Sequence, residues 1–124
     1  MEYADITEQI IGCAYRVYNA MGYGFLESAY EKCMLIELST IGLKVDFQLP
    51  LHAMYRGEIV GDFIADIVVE DNIIVELKSV RKLIPVHEAQ LVNYLVATGK
   101  PLGLLINFGQ VRVEVKRKTR TLNI

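Results

Sequence analysis

Phe63-Ile64-Ala65-Asp66-Ile67-Val68-Val69-Glu70-Asp71-Asn72-Ile73-Ile74-Val75-Glu76-Leu77-Lys78 is the stretch on which the fold and the chemistry turn. Two apolar, β-branched runs flank a polar triplet, the pattern of two strands joined by a tight turn. Three charges interrupt them: Asp66 in the first run, Glu76 and Lys78 in the second. An unpaired charge in such a strand costs on the order of several kcal/mol even after relaxation, so each needs compensation. Residues two apart on a strand share a face, so Glu76 and Lys78 point one way and Leu77 the other. A three-residue loop at Glu70–Asn72 sets Asp66 directly across from Glu76, with Cβ atoms roughly 4.5–5.5 Å apart. A two-residue loop would break that register. Two carboxylates so close repel unless a proton or a cation lies between them. Mg²⁺, which takes oxygen ligands and keeps waters, suits such a pair. A buried Asp–Lys or Glu–Lys ion pair is the competing reading, and the residues alone leave it open.

Upstream, residues 45–56 and 58–69 are rich in Val, Ile, Leu, Phe and Tyr, with Arg56-Gly57 as the turn between two strands. Before them the spacing predicts two helices. In the first, Asp5 is the expected N-cap, with Glu8 three residues on, and Ile6, Ile10, Ala14, Val17, Tyr18 and Met21 form the inward stripe until Gly22 and Gly24. The second is expected from about Phe25 to Ile41, with Leu26, Tyr30, Cys33, Leu38 and Ile41 mostly inward and Gly42 as its stop.

Downstream, Pro85 opens a third helix that Gly99 and Pro101 end. Leu102–Phe108 is a nearly all-apolar strand, as expected when both faces are covered. Gly109-Gln110 then turns the chain into a half-exposed edge strand, Val111–Lys116. The expected order is ααβββαββ, an α/β fold with a mixed central sheet flanked by helices, in one domain over 1–124.

The chain has 124 residues, 52% of them hydrophobic, enough for a real core rather than a disordered polymer. No apolar run reaches the roughly 18 residues of a membrane helix, and Met1-Glu2-Tyr3-Ala4-Asp5 lacks the basic start of a secretory signal. A cytoplasmic location is therefore expected, with no membrane partner. Cys13 and Cys33 have neither zinc-site spacing nor the number for a disulfide framework. The net charge of −2 does not by itself attract nucleic acid.

The same residues resemble a known family. Asp66, nine residues, then Glu76-Leu77-Lys78 is similar to the D…(D/E)xK signature of the PD-(D/E)XK nuclease superfamily. Gly24-Phe25-Leu26-Glu27-Ser28-Ala29-Tyr30 resembles the GxxExxY motif of a family of small proteins within it, and Gln90-Leu91-Val92-Asn93-Tyr94 resembles the QxxxY motif of RecB-like members. Ala65 stands where a proline often precedes the first acid. The resemblance implies a restriction-endonuclease-like core and metal-dependent hydrolysis of DNA phosphodiesters. Asp66 and Glu76, helped by the Leu77 carbonyl and by Glu27, would hold Mg²⁺ or Mn²⁺, and Lys78 would orient the attacking water and stabilise developing charge.

Gln90 would support Lys78 or a metal-bound water, while Tyr94, Arg81 and Lys82 would contact nucleic acid. Read without the motif, Glu27 is an ordinary acid at a helix N-terminus, and Tyr94 serves equally as packing. His87 is a weaker candidate at the border of the site. Lys116, Arg117, Lys118 and Arg120 form a basic tail that fits either phosphates or solvent. The expected substrate is DNA, with single strands, branches or ends as options, and a homodimer stays open. The alternative is a non-cleaving module that uses the same fold to bind nucleic acid or a protein partner.

Overall fold

A computed structural model describes residues 3–120. Its elements are α1 (Tyr3–Met21), α2 (Glu27–Thr40), β1 (Val45–Tyr55), β2 (Glu58–Val69), β3 (Ile73–Lys78), α3 (Pro85–Thr98), β4 (Leu102–Phe108) and β5 (Val113–Lys118). This is the expected ααβββαββ order. The five strands form one sheet in the order β1-β2-β3-β4-β5. Only β3 and β4 run parallel, joined through α3; every other neighbour pair is antiparallel, so the sheet is mixed.

The apolar periodicities sort the helices to opposite sides. Ile6, Ile10, Cys13, Ala14 and Val17 of α1 and Tyr30, Met34 and Leu38 of α2 pack on Ile67, Val69, Ile73, Val75 and Leu77, and on Leu104 and Ile106. Leu91 and Leu95 of α3 pack on Ala65, Val68, Ile74 and Leu105 on the other face. β3 and β4 lie between both layers, which explains why they are almost wholly buried.

Three local expectations are corrected. Asp5 does not cap α1, which begins two residues earlier at Tyr3; as a first-turn acid it still complements the helix dipole. Leu26 lies outside α2 in extended backbone and is 80% exposed, while Met34 takes its place in the inward stripe. The last strand starts at Val113 instead of Val111, because the turn spans four residues and closes with a Gly109 N–H bond to the Arg112 carbonyl (3.1 Å). Val113 then faces the core opposite Phe108 and Val111 is left in solvent. Glycine is required at 109, since a Cβ there would lie 2.7 Å from the Arg112 carbonyl oxygen.

The β2–β3 turn is the decisive connection. Glu70 and Asp71 both adopt positive φ (51° and 62°), and the Asn72 N–H bonds the Val69 carbonyl (3.1 Å). The loop therefore holds three residues, with Val69 opposite Ile73, Val68 opposite Ile74 and Ile67 opposite Val75. Pairing stops there and the strands part. β1 bends at the same level: Gln48, between Phe47 and Leu49, has φ 52°. Ala65 packs with α3 although Ile67, two residues on, packs with α1 and α2. The β1–β2 hairpin thus turns away from β3, opening a fork.

Candidate active site at the fork of β2 and β3

Asp66 and Glu76 are the first residues beyond the last paired positions of β2 and β3, one on each arm of the fork. Each carboxylate accepts a backbone N–H from the other arm: Leu77 N–H bonds Asp66 Oδ2 (2.9 Å), and Asp66 N–H approaches Glu76 Oε1 (3.3 Å). The ladder that ends in backbone–backbone bonds is continued by these side chains, which fixes both acids. The two acids also come within hydrogen-bonding reach of each other. Burial and then the negative charge of Asp66 push the Glu76 carboxyl up to about 9. The Lys78 ammonium opposes this shift, but is the weakest influence.

Lys78 ends β3, half-buried, opposite Asn107 of β4. Among the described residues it forms no ion pair within 4 Å. The competing reading of these charges as a buried Glu–Lys or Asp–Lys bridge is therefore not realised. Its amine acts on Glu76 only electrostatically, without a contact pair.

A third acid joins them. Glu31 of α2 is buried, accepts Gln48 Nε2 (3.0 Å), and lies within hydrogen-bonding reach of Asp66. Burial, then the charge of Asp66, raises its carboxyl to about 7. The bent Gln48 thus links the helix layer to the fork. Glu27, the helix acid singled out in the sequence, opens α2 one turn before Glu31 and influences Glu31 electrostatically. It is Glu31, not Glu27, that the structure brings against Asp66. Glu31 had a signal: it shares the inward stripe with Met34 and Leu38, where a charge is as anomalous as in β3.

Tyr30 is structural. Its ring stacks on Phe108 (centroids 4.2 Å apart, 3° between planes), and its hydroxyl donates to the Gly22 carbonyl. That pins the 22–26 loop, whose Phe25 carbonyl in turn accepts Ser79 Oγ (2.6 Å), next to Lys78.

On the α3 side, Gln90 Nε2 donates to Tyr94 Oη (2.8 Å), and the Tyr94 ring stacks on Phe63 (4.0 Å, 10°). Gln90 thus bonds Tyr94, not Lys78. The Tyr94 hydroxyl is close enough to the acids for Glu76 to raise its pKa, after burial as the larger cause. His87 Nδ1 accepts the Ile84 N–H (3.2 Å) and caps α3. Arg81 and Lys82 are exposed in the loop after β3. Of the residues expected as a basic tail, Lys116, Arg117 and Lys118 instead lie in β5, where Lys118 pairs with Glu88 (2.7 Å) and Arg117 donates to Thr7 (3.3 Å).

The donor set fits a hard divalent ion. Two carboxylates are anchored side by side, and burial, then the charge of Asp66, favours the protonated form of Glu76, so a cation can take the place of that proton. Among the described residues no group of three or more His, Cys, Asp or Glu side chains forms a ready metal cage. A bound ion would therefore draw its remaining ligands from backbone oxygen, water and any α2 acid that moves in to reach it.

A family model described as the PD-(D/E)XK nuclease superfamily matches residues 4–118. The chain belongs to the PD-(D/E)XK nuclease superfamily. Its mixed five-stranded sheet between α1–α2 and α3 is the restriction-endonuclease-like core, and membership makes nuclease activity the expected chemistry. Superfamily nucleases generally use divalent metal ions. A crystal structure of a protein called SSO0001 is similar in fold, with a TM-score of 0.53 and 15% identity over 94% of this chain and 67% of that one. No curated protein matches significantly. Among the described residues, no helix is long and apolar enough to cross a membrane.

Proposed function

We propose that this superfamily member is a metal-dependent nuclease that hydrolyses DNA phosphodiester bonds at the β2–β3 fork. The observation that carries the reading is the convergence of Asp66 and Glu76 at the end of the ladder, with the unpaired Lys78 two residues further along β3. Asp66, Glu76 and the Leu77 carbonyl would hold Mg²⁺ or Mn²⁺, with Glu27 or Glu31 of α2 as a further acid. When bound, the ion supplies Lewis acidity toward the phosphate and lowers the pKa of a coordinated water.

The chain's own groups do the remainder. Lys78 holds the attacking water by hydrogen bond and stabilises negative charge as the phosphate becomes pentacoordinate. The backbone N–H groups of Leu77 and Asp66 keep both carboxylates oriented, so little reorganisation is needed. Gln90 and Tyr94, joined by their hydrogen bond, lie near enough to Glu76 to feel its charge, and the ring face of Tyr94 opposite Phe63 would be the one to stack on a base. The stretches Gly24–Tyr30 and Gln90–Tyr94 supply the GxxExxY and QxxxY motifs within this reading. Arg81 and Lys82 contact the strand's phosphates.

The test is cleavage of labelled single- and double-stranded DNA with Mg²⁺ or Mn²⁺ by the wild type, Glu76→Ala and Lys78→Ala. Loss of activity in both variants is expected. Cleavage unchanged in both rejects the site. The second reading, a non-cleaving binding module, is favoured by the way Glu76 and Glu31 each reach hydrogen-bonding distance of Asp66, so that the acids satisfy one another. Calorimetric titration with Mn²⁺ separates the two: an absence of binding at millimolar metal selects the module.

A further inference from the structure

Beyond β3 the chain runs Ser79-Val80-Arg81-Lys82-Leu83, and the turn after β4 runs Gly109-Gln110-Val111-Arg112. The two loops are far apart in sequence and are tied together by two side chains, Asn107 and Glu114. Asn107, fully buried near the end of β4, accepts the Val80 N–H (2.9 Å) and donates to the Val80 carbonyl (2.9 Å) and to Glu114 Oε1 (2.9 Å). The same Glu114 oxygen accepts the Leu83 N–H (3.0 Å). On the α1 side, Tyr18 Oη donates to the Gly109 carbonyl (2.6 Å). The loops are thus fixed against each other, with a recess of about 430 Å³ between them, lined by Arg81, Lys82, Gln110, Val111, Arg112 and Glu114.

Its charge is unbalanced. Arg81, Lys82 and Arg112 converge on the recess, and among the described residues none of the three forms an ion pair. Glu114 offsets part of this charge, since Arg112 and Lys82 act on it electrostatically, but it pairs with none of the three within 4 Å and its Oε1 accepts the amides of Asn107 and Leu83. One negative charge against three positive ones leaves the recess cationic. Three cations held near one another repel unless an anion is shared between them, and guanidinium groups suit phosphate oxygens in particular. Arg81 is three residues past Lys78 and five past Glu76, so at most about 10–11 Å of extended backbone separates it from Lys78 and about 17–18 Å from Glu76.

We infer that this recess is a phosphate-binding subsite that seats a phosphate group of the nucleic-acid strand adjacent to the scissile bond. The identity of the strand rests on the nuclease reading. Arg112 and Gln110 join Arg81 and Lys82 in it, and Asn107 is the positioning residue that holds both loops. A terminal phosphate monoester and an internal phosphodiester present the same oxygens, and they differ only in whether the strand must end there.

The experiment is fluorescence anisotropy in EDTA with single-stranded oligonucleotides bearing a 5′-phosphate, a 3′-phosphate or neither. The proteins are the wild type, Arg81→Gln, Arg112→Gln, their double variant, and Lys100→Gln as a control at the opposite end of β4. All the altered recess side chains are exposed, so melting temperatures should stay unchanged. Each recess variant is expected to bind roughly tenfold more weakly and to lower the slope of log affinity against log salt by about 0.7. Lys100→Gln should match the wild type. A loss confined to one phosphorylated end assigns a terminal phosphate, and an equal loss on all three assigns an internal one. Recess variants that bind and flatten no more than Lys100→Gln overturn the subsite. If the wild type nonetheless cuts DNA with Mn²⁺, the nuclease reading survives that result. A wild type that neither binds nor cuts overturns both.

Discussion

Replacing Glu76 by glutamine exposes the energetic burden that the fork carries without its ion. Burial and the Asp66 charge raise the Glu76 carboxyl to about 9, well above the ordinary value of about 4.5 expected in the unfolded chain. A carboxyl that binds its proton more tightly when folded makes stability fall as pH rises from the unfolded pKa toward the folded one. The slope approaches about 1.4 kcal/mol per pH unit, which accumulates to on the order of 4 kcal/mol between pH 5 and pH 8. Glu76→Gln removes this slope, because the amide keeps one oxygen for the Asp66 N–H and an N–H for the Asp66 carboxylate.

Urea denaturation in EDTA from pH 5 to pH 9 should therefore show near-equal stabilities at pH 5 and a widening advantage for Glu76→Gln above it. Glu31 contributes to both proteins alike up to about pH 7, so the difference between them isolates Glu76. Mn²⁺ at 100 times its dissociation constant should return about 3 kcal/mol to the wild type and little to the variant. Parallel pH profiles in EDTA would refute the reasoning, since Glu76 would then not be held protonated by its surroundings.

Lys78→Met should lower kcat by roughly 10²–10³ and leave Mn²⁺ affinity within a fewfold of wild type by calorimetry, separating transition-state stabilisation from metal binding. Asn107→Ala deprives Val80 and Glu114 of their buried partners and should cost about 2–4 kcal/mol in urea unfolding. Gly103→Ala places a Cβ 2.8 Å from a terminal carbon of the buried Leu91. It should destabilise by about 1–3 kcal/mol, with activity retained in the folded fraction.

The architecture was legible because its signals are local. The Glu70–Asn72 triplet set the hairpin length, and that length alone brings Asp66 level with Glu76. Pro85 and Gly99 bounded α3, and the apolar run of β4 announced a strand covered on both faces. What was not legible depends on contacts between distant segments. The fork arises where β1 bends at Gln48, and nothing in Phe47-Gln48-Leu49 marks a positive φ. Glu31 and Asn107 were visible as polar residues at inward positions, and apolar periodicity passed over both. The three cations of the recess are scattered through two loops that the hydrogen bonds of Asn107 and Glu114 bring together.

Anomalous diffraction from crystals soaked in Mn²⁺ tests the metal centre at the fork most directly. A single peak within bonding distance of both the Asp66 and the Glu76 carboxylates is expected, and its loss in Glu76→Gln crystals. A fork that stays empty of anomalous signal at millimolar Mn²⁺, with the two acids still bonded to each other, would contradict it.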